Sequence, residues 1–425
     1  MPECKNEVYI PFIDDCQQDP EWLTKDFLQE KLRIYFKDAS LKVLSMRLTP
    51  AIPKGENYAS VMTRVSVEYI MGSDRKPRTG SYIVKSSFEA DDFSAELMKP
   101  YDIYNREMEI YQNIIPKLND LLKEIGDMDK MFPETIAVEF SRSTIIFEDL
   151  SELQYAMCDR TKGLDIEHVK LCLTKLAKMH ATSAVLNERE PGIFKHYDRG
   201  MLNRHTNNYS PYFVGLLEAC GKLVSQWDDF KEYGEKILAL KPKLMEYGNQ
   251  VFDPIDGHVN VLAHGDFWVN NAMFNEGPNE HPNDVILIDF QYSCWGSPAI
   301  DLHYFFNTSL REEIRLHQQD ELFQYYYNIF AGTLKALRFK AKIPSLHQFL
   351  LHMAEKSFYA FVSGCLVQAV QINDQTDDAD FQALMGEDER ALNFKRTVFQ
   401  NEKVQKNLKR LLPMFDRKGL LDDRD

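Results

Sequence analysis

Apolar positions in the first third of the chain switch between a helical period and strict alternation. Over 21–37 they recur at helical spacing and predict a helix, whereas 41–48 and 60–71 alternate as strands do, with PAIPKGENYA between them. The stretch 72–80 is rich in Gly, Pro and charge and predicts a turn, leading into a strand over 81–88. Helical periodicity resumes over 101–122, with Pro116 as an expected break or kink. Two further strands are predicted over 135–140 and 144–147. These elements predict a small β-rich unit of five strands with a helix packed on it, spanning 1–149.

The pattern then changes. A strongly amphipathic helix is predicted over 166–186, two more within 211–248, and four or five from 298 to the end. Between them, 270–274 and 285–290 are short apolar strands flanking the polar loop NEGPNEHPND. The acidic segment at 375–380 reads as a solvated loop, and no repeat or low-complexity tract interrupts the chain. The expected class is α+β, with the small unit followed by a larger, mainly helical one over 150–425.

Composition narrows the function. With 425 residues and 44% hydrophobic content, a large core is available. A formal charge of −15 argues against nucleic acid or an anionic membrane as the main partner. It does not exclude a nucleotide, because a few local cations neutralise phosphates. The seven cysteines (Cys4, Cys16, Cys158, Cys172, Cys220, Cys294, Cys365) are scattered without a C-x-x-C pair, so neither a disulfide framework nor a zinc motif is indicated. The N-terminus is charged where a signal peptide is apolar, and the best apolar run, 359–370, falls short of the ~20 residues of a membrane span. A soluble cytoplasmic protein without membrane insertion is expected; the oligomeric state is not legible.

The chemistry concentrates in AHGDFWVNNAMF and VILIDFQ. Asp266 precedes Asn271 by five residues, and Asp289 ends the next predicted strand. If the two strands form an antiparallel hairpin, Asn271 and Asp289 stand side by side, with Asp266 on the loop feeding in. Phosphoryl transfer asks for this set: a carboxylate near the acceptor hydroxyl, and hard oxygen donors for Mg2+ on the phosphates of ATP. Taken singly, each residue reads as an ordinary turn former. Their joint occurrence in a strand–turn–strand context is what points to chemistry. His264 has no companion at ligand spacing and reads as a buried histidine bracing the loop. Asp301, just after Ser297-Pro298, fits a helix first turn; a carboxylate clamping the catalytic loop is an equal reading.

Lys85 ends the strand SYIVK, and Glu107 lies in the helix that follows. A Lys–Glu pair of this layout positions the α- and β-phosphates. Glu109 is the rival partner, but Glu107 shares a face with Tyr104 and Tyr111 and is preferred. An exposed lysine at a strand end is the plain alternative. The loop carrying Gly55, Asn57 and Ser60 offers backbone N–H groups to phosphates, although one glycine makes a weak phosphate loop. Where IIFEDL turns polar, backbone groups of Glu148 and Leu150 are candidates for holding adenine. Aromatic residues crowd the later helices at 304–306, 323–327 and 358–361, and Trp268 and Trp295 flank the catalytic segment. They read as helix core, with some available to line a pocket.

These pieces, in this order, resemble the ecdysteroid kinase-like family of arthropods, within the wider aminoglycoside phosphotransferase and choline kinase group. The matching stretches are GENYAS (55–60), YIVK (82–85), REMEIYQNIIP (106–116), FEDL (147–150), LAKMHATS (176–183), HGDFWVNN (264–271), LIDFQ (287–291) and SPAIDLHYF (297–305). The resemblance implies a protein-kinase-like two-lobed fold and transfer of the ATP γ-phosphate to an alcohol on a small molecule, an ecdysteroid or a xenobiotic. It implies Asp266 as catalytic base, Asn271 and Asp289 as magnesium ligands, and Lys85 with Glu107 as the phosphate-positioning pair. Gly265 stands where protein kinases usually carry an arginine that senses phosphorylation, and its presence fits a kinase without that switch. Two rival functions remain at this level: a choline- or ethanolamine-type kinase with Trp295 in a cationic cage, and an inactive binding protein on the same fold.

Overall fold

The computed structural model describes residues 20–51, 60–72, 74–87, 97–277, 281–373 and 381–423. The first helix, Lys25–Phe36, starts where the Thr24 hydroxyl accepts the Phe27 N–H at 3.2 Å and ends where Lys37 turns left-handed at φ 53°. Leu28 and Leu32, four residues apart, are fully buried. They pack in a cluster with Val65, Val67 and Val84 of the sheet below. Burial on this scale stabilises by about 1.5–3 kcal/mol per side chain.

That sheet is antiparallel, in the order β1-β2-β3-β5-β4. Its strands are β1 (Lys42–Pro50), β2 (Val61–Met71), β3 (Asp74–Ser86), β4 (Thr135–Glu139) and β5 (Thr144–Glu148). The five strands and the packed helix are as expected, with one boundary corrected. The segment 72–80, expected as a turn, is turn at 72 and strand over 74–80, because β2 is long enough to pair with it. Pro77, which has no N–H to give, falls in the irregularity between the Tyr69–Arg78 and Met71–Asp74 pairs.

The helix over 101–122 is real but broken. Ile103–Glu109 and Ile115–Glu124 are α-helical and Ile110–Ile114 forms a π turn between them. Pro116 accounts for the position, since it has no N–H and its ring would press on the carbonyl four residues back; a wider turn relieves both.

The remainder is mainly helical, and several elements differ from expectation. The helix at 166 runs to Arg189. Three helices, not two, occupy the next stretch: Ser210–Val224, Lys231–Ala239 and Leu244–Phe252. Helical segments after 298 exceed the four or five expected, because kinks and π turns divide the long apolar runs. Three-residue strands β6 (Tyr155–Met157), β7 (Val261–Ala263) and β10 (Cys294–Gly296) were not anticipated; they are too short to show a period. The predicted hairpin forms from β8 (Ala272–Glu276) and β9 (Pro282–Leu287), antiparallel, with Ala272 opposite Leu287. Cys158, Cys172, Cys220, Cys294 and Cys365 are free thiols. Among the described residues no helix is long and apolar enough to cross a membrane. Gly55, Asn57 and the acidic loop 375–380 lie outside the described residues.

The architecture is the protein-kinase-like one: a small, β-rich N-terminal lobe and a large, mainly helical C-terminal lobe. The cleft between them holds the chemistry-bearing residues.

Candidate active site

Two loops are stitched together at the cleft floor. The first, 264–271, leads into β8; the second, 288–293, leaves β9. Ile288 N–H donates to the Asn271 carbonyl at 3.1 Å, extending the hairpin register by one residue. That places Asn271 next to the segment carrying Asp289. His264 Nε2 meets the Ile288 carbonyl at 2.9 Å, and the Ser293 hydroxyl donates to the His264 carbonyl at 3.2 Å. Burial lowers the His264 pKa, so the ring is neutral and Nε2–H is the donor. Its Nδ1 is buried without a partner among the described residues.

Gly265 is required by geometry. Its φ is +83°, and a Cβ there would lie 2.0 Å from the Tyr292 carbonyl oxygen. Asp301 holds this loop from the other side. Its Oδ2 accepts the His264 N–H at 2.6 Å and its Oδ1 the Gly265 N–H at 2.8 Å. His180 Nε2 lies 2.9 Å from Asp301 Oδ2, with His180 Nδ1 2.6 Å from the Tyr326 hydroxyl. Both readings of Asp301 meet here, since it sits in the first turn of Ala299–Thr308 and clamps the loop backbone. That helix begins at Ala299, one residue later than expected, and the Ser297 hydroxyl accepts the Ala299 N–H at 3.2 Å.

Asp266 stands at the tip. Its Oδ1 accepts the Tyr304 hydroxyl at 2.6 Å, and Asn271 Nδ2 donates to its carbonyl at 2.7 Å and its Oδ2 at 3.3 Å. Burial pushes the Asp266 carboxyl up to about 7, assisted by the nearby Asp289 charge and opposed by the donations of Tyr304 and Asn271. Asp289 adopts φ +66°, uncommon for a residue with a side chain. Its neighbours hold it there: Lys85 Nζ donates to Asp289 Oδ1 at 3.0 Å, and the Phe290 N–H donates to Glu107 Oε1 at 3.1 Å.

Lys85 is buried and donates to Glu107 Oε1 at 2.7 Å. Burial works against its ammonium, but Asp289 and Glu107 outweigh it and hold its pKa above the usual value. Burial likewise pushes Glu107 up against the opposing pull of Lys85. The structure thus pairs Lys85 with Glu107, while Glu109 faces the Tyr197 hydroxyl at 3.3 Å.

One cavity of about 400 Å³ connects these groups. At one end it is lined by Ala51, Ile83, Phe147, Glu148 and Leu150. The Glu148 N–H is committed to the Glu134 carbonyl at 3.0 Å and is not available to a ligand. Past Asp266 the wall turns apolar and aromatic, with Met201, Tyr209, Tyr212, Val367, Leu384 and Met385. Ser60 is buried just before β2 and does not line the cavity. Trp268 lines it, but Trp295 stacks on Phe194 at 5.0 Å and does not, so a cage built on Trp295 is not available here.

Local motifs did not mark Tyr304, Gln371 or His180 as site residues. Tyr304 and His180 fall inside SPAIDLHYF and LAKMHATS, so the resemblance had a signal for both. Gln371, which donates to the Tyr304 hydroxyl at 3.0 Å, had none.

Outside the cleft, Cys158, His168 and Glu276 bring ligand atoms within 4.8 Å of one another. His168 Nδ1 is 2.7 Å from Asp165 and Nε2 3.0 Å from Glu276. Burial opposes its charge, yet contacts with Cys158, Asp165 and Glu276 push the imidazole up to about 10. Both ring nitrogens are thus engaged by carboxylates.

Residues 54–339 match the family model described as "Ecdysteroid kinase-like family". The chain belongs to that family. Membership supports a small-molecule phosphotransferase. Similar solved structures include a Plasmodium vivax ethanolamine kinase, at 15% identity over 88% of this chain and 84% of that one, with a TM-score of 0.40. APH(2")-IIa in a ternary complex with streptomycin and ATP matches at 16% identity over 74% of this chain and 87% of that one, TM-score 0.32. A glucosamine kinase matches at 12% over 90% and 93%, TM-score 0.27. No curated protein matches.

Proposed function

We propose that this family member transfers the γ-phosphate of ATP to a hydroxyl of a bulky, largely apolar alcohol, of the ecdysteroid or xenobiotic kind. The observation that carries the reading is one continuous cavity joining the Lys85–Glu107–Asp289 charges to the apolar wall beyond Asp266. In this reading the nucleotide-binding lobe is 1–149 and the catalytic and acceptor-binding lobe 150–425. Adenine lies against Ala51, Ile83, Phe147 and Leu150, with the Glu148 carbonyl as an acceptor for its amino group. Lys85, held by Glu107, draws the α- and β-phosphates into line. Asp266, with a pKa near neutrality, takes the proton of the acceptor hydroxyl as that oxygen attacks phosphorus and the bond to the ADP oxygen breaks.

The donor set fits Mg2+. Asp289 and Asn271 supply hard oxygens, and the Asn271 nitrogen is committed to Asp266, which turns its Oδ1 the other way. A bound Mg2+ would neutralise charge on the phosphates. Asp289, Asn271 and Lys85 orient that end of the cleft, and the apolar wall keeps water from competing with the alcohol.

A screen with γ-labelled ATP against ecdysteroids, other sterols, choline, ethanolamine and plant alcohols tests this. Labelled ester on a large apolar alcohol is expected. Preferential labelling of choline or ethanolamine would replace the acceptor with a cationic one. If Mg-ATP fails to raise the melting temperature of well-folded protein, the inactive binding reading replaces both.

A further inference from the structure

We infer that Tyr304 is the positioning residue of the Asp266 carboxylate, and that Gln371 ties it to the wall of the acceptor pocket; this rests on Asp266 as the base. Three observations converge on it. The Tyr304 hydroxyl donates to Asp266 Oδ1 at 2.6 Å. Gln371 Nε2 donates to the same hydroxyl at 3.0 Å, which commits the phenolic proton to Asp266. Finally, Tyr304 lies three residues after Asp301 on one helix, and residues at that spacing share a face. Asp301 clamps the backbone of His264 and Gly265, and Tyr304 clamps the carboxylate of Asp266. A single helix face thus sets both the position of the loop and the rotation of its carboxylate.

The consequence is a division of labour between two oxygens. Oδ1 takes the short Tyr304 hydrogen bond, whereas Oδ2 takes only the longer 3.3 Å donation from Asn271 and is the oxygen with capacity left for a proton. Tyr304 is held rigidly for this task, buried and stacked on Tyr359 with ring centroids 5.7 Å apart. Burial and the Asp266 charge push its phenol well above the usual value, so it remains a donor throughout the working range. Gln371 ends the helix Gln368–Gln371, and Arg160 holds that end through the carbonyls of Gln371 and Asn373. The acceptor wall is therefore linked to the base by a short chain of hydrogen bonds.

Other groups also face Asp266. Asp289 and Asp301 bring negative charge toward it, and Lys85 reaches Asp289. The phenols of Tyr209, Tyr292 and Tyr359 surround it, and burial pushes all three well above the usual value, so they stay neutral. Tyr304 is the phenol that donates to the carboxylate, beside the longer donation from Asn271.

Carboxyl 13C NMR of the full chain, labelled at aspartate, tests the inference without an acceptor. The Asp266 resonance is assigned by its loss in Asp266→Asn. Tyr304→Phe keeps the ring and removes the donor, and at pH 9, where the carboxylate is ionised, the Asp266 carboxyl resonance should leave its wild-type position. Gln371→Leu should move it the same way by less. An Asp266 carboxyl resonance unmoved at pH 9 in Tyr304→Phe overturns the inference. ATP hydrolysis, with water as acceptor, is followed in parallel. Its kcat should fall in Tyr304→Phe with the KM for ATP unchanged, whereas a merely structural effect would change the KM as well and count against positioning. If the NMR shift appears while the wild type labels no alcohol in the acceptor screen, the phosphotransfer reading fails and the positioning of Asp266 stands.

Discussion

The two ends of the cavity are built by opposite means. The end proposed to take the phosphates is polar and cross-linked: Lys85, Glu107, Asp289 and the Phe290 N–H form one closed set of contacts between 2.7 and 3.1 Å. The acceptor end is apolar and assembled from distant helical segments, with Tyr304 and Gln371 as its polar thread. In the first, removal of one group strands another buried charge. In the second, removal of one side chain leaves only a slightly larger pocket. On the proposed reading the contrast teaches where tolerance lies: the reaction is held by mutually dependent groups, and the choice of substrate by replaceable ones.

The largest expected effect follows from breaking the polar end. Lys85→Ala strands buried Glu107 and should cost about 3–5 kcal/mol of stability, read by denaturant melts. Because burial already pushes Glu107 up, the carboxyl in the variant takes a proton, and the deficit should shrink as pH falls. A deficit below about 1 kcal/mol, or one that grows at low pH, would contradict the interdependence. Gly265→Ala comes next. Left-handed backbone and the clash with Tyr292 should together cost about 2–3 kcal/mol and misplace Asp266, seen as a lower melting temperature and slower ATP turnover.

A smaller effect comes with pH alone. With Asp266 near 7, protonation at low pH removes the base, so kcat/KM should rise roughly tenfold from pH 6 to pH 8. A flat profile would remove Asp266 from the rate law. The smallest effects belong to the apolar wall. Leu384→Ala should raise the acceptor KM a few-fold while leaving the KM for ATP unchanged. Equal changes in both would erase the distinction between the two ends.

The same contrast explains what was legible in the sequence. Asp266, Asn271 and Asp289 were legible through their joint occurrence in short motifs of one strand–turn–strand unit, since each alone is an ordinary turn former. Lys85 and Glu107 were legible through strand position and helix face. Tyr304 was named only among aromatic residues, because a tyrosine at helical spacing packs into a core just as readily. Gln371 gave no sign at all, since a glutamine at a helix end is ordinary. His180 looked like any residue of an amphipathic helix, although it contacts Asp301 in the interior. In the fold, the long alternations were readable. The three-residue strands and the polar half of β3 were not, because pairing with a neighbour rather than local pattern makes them strands.

Asp266→Asn tests the central claim most directly, in a transfer assay with γ-labelled ATP at pH 8 beside wild type. The substitution keeps the shape of the side chain and its place beside Asn271, and removes its capacity to take a proton. The account predicts that ATP still binds, by thermal shift, while transfer falls by about 10²–10⁴-fold. Undiminished transfer with ATP bound would contradict it.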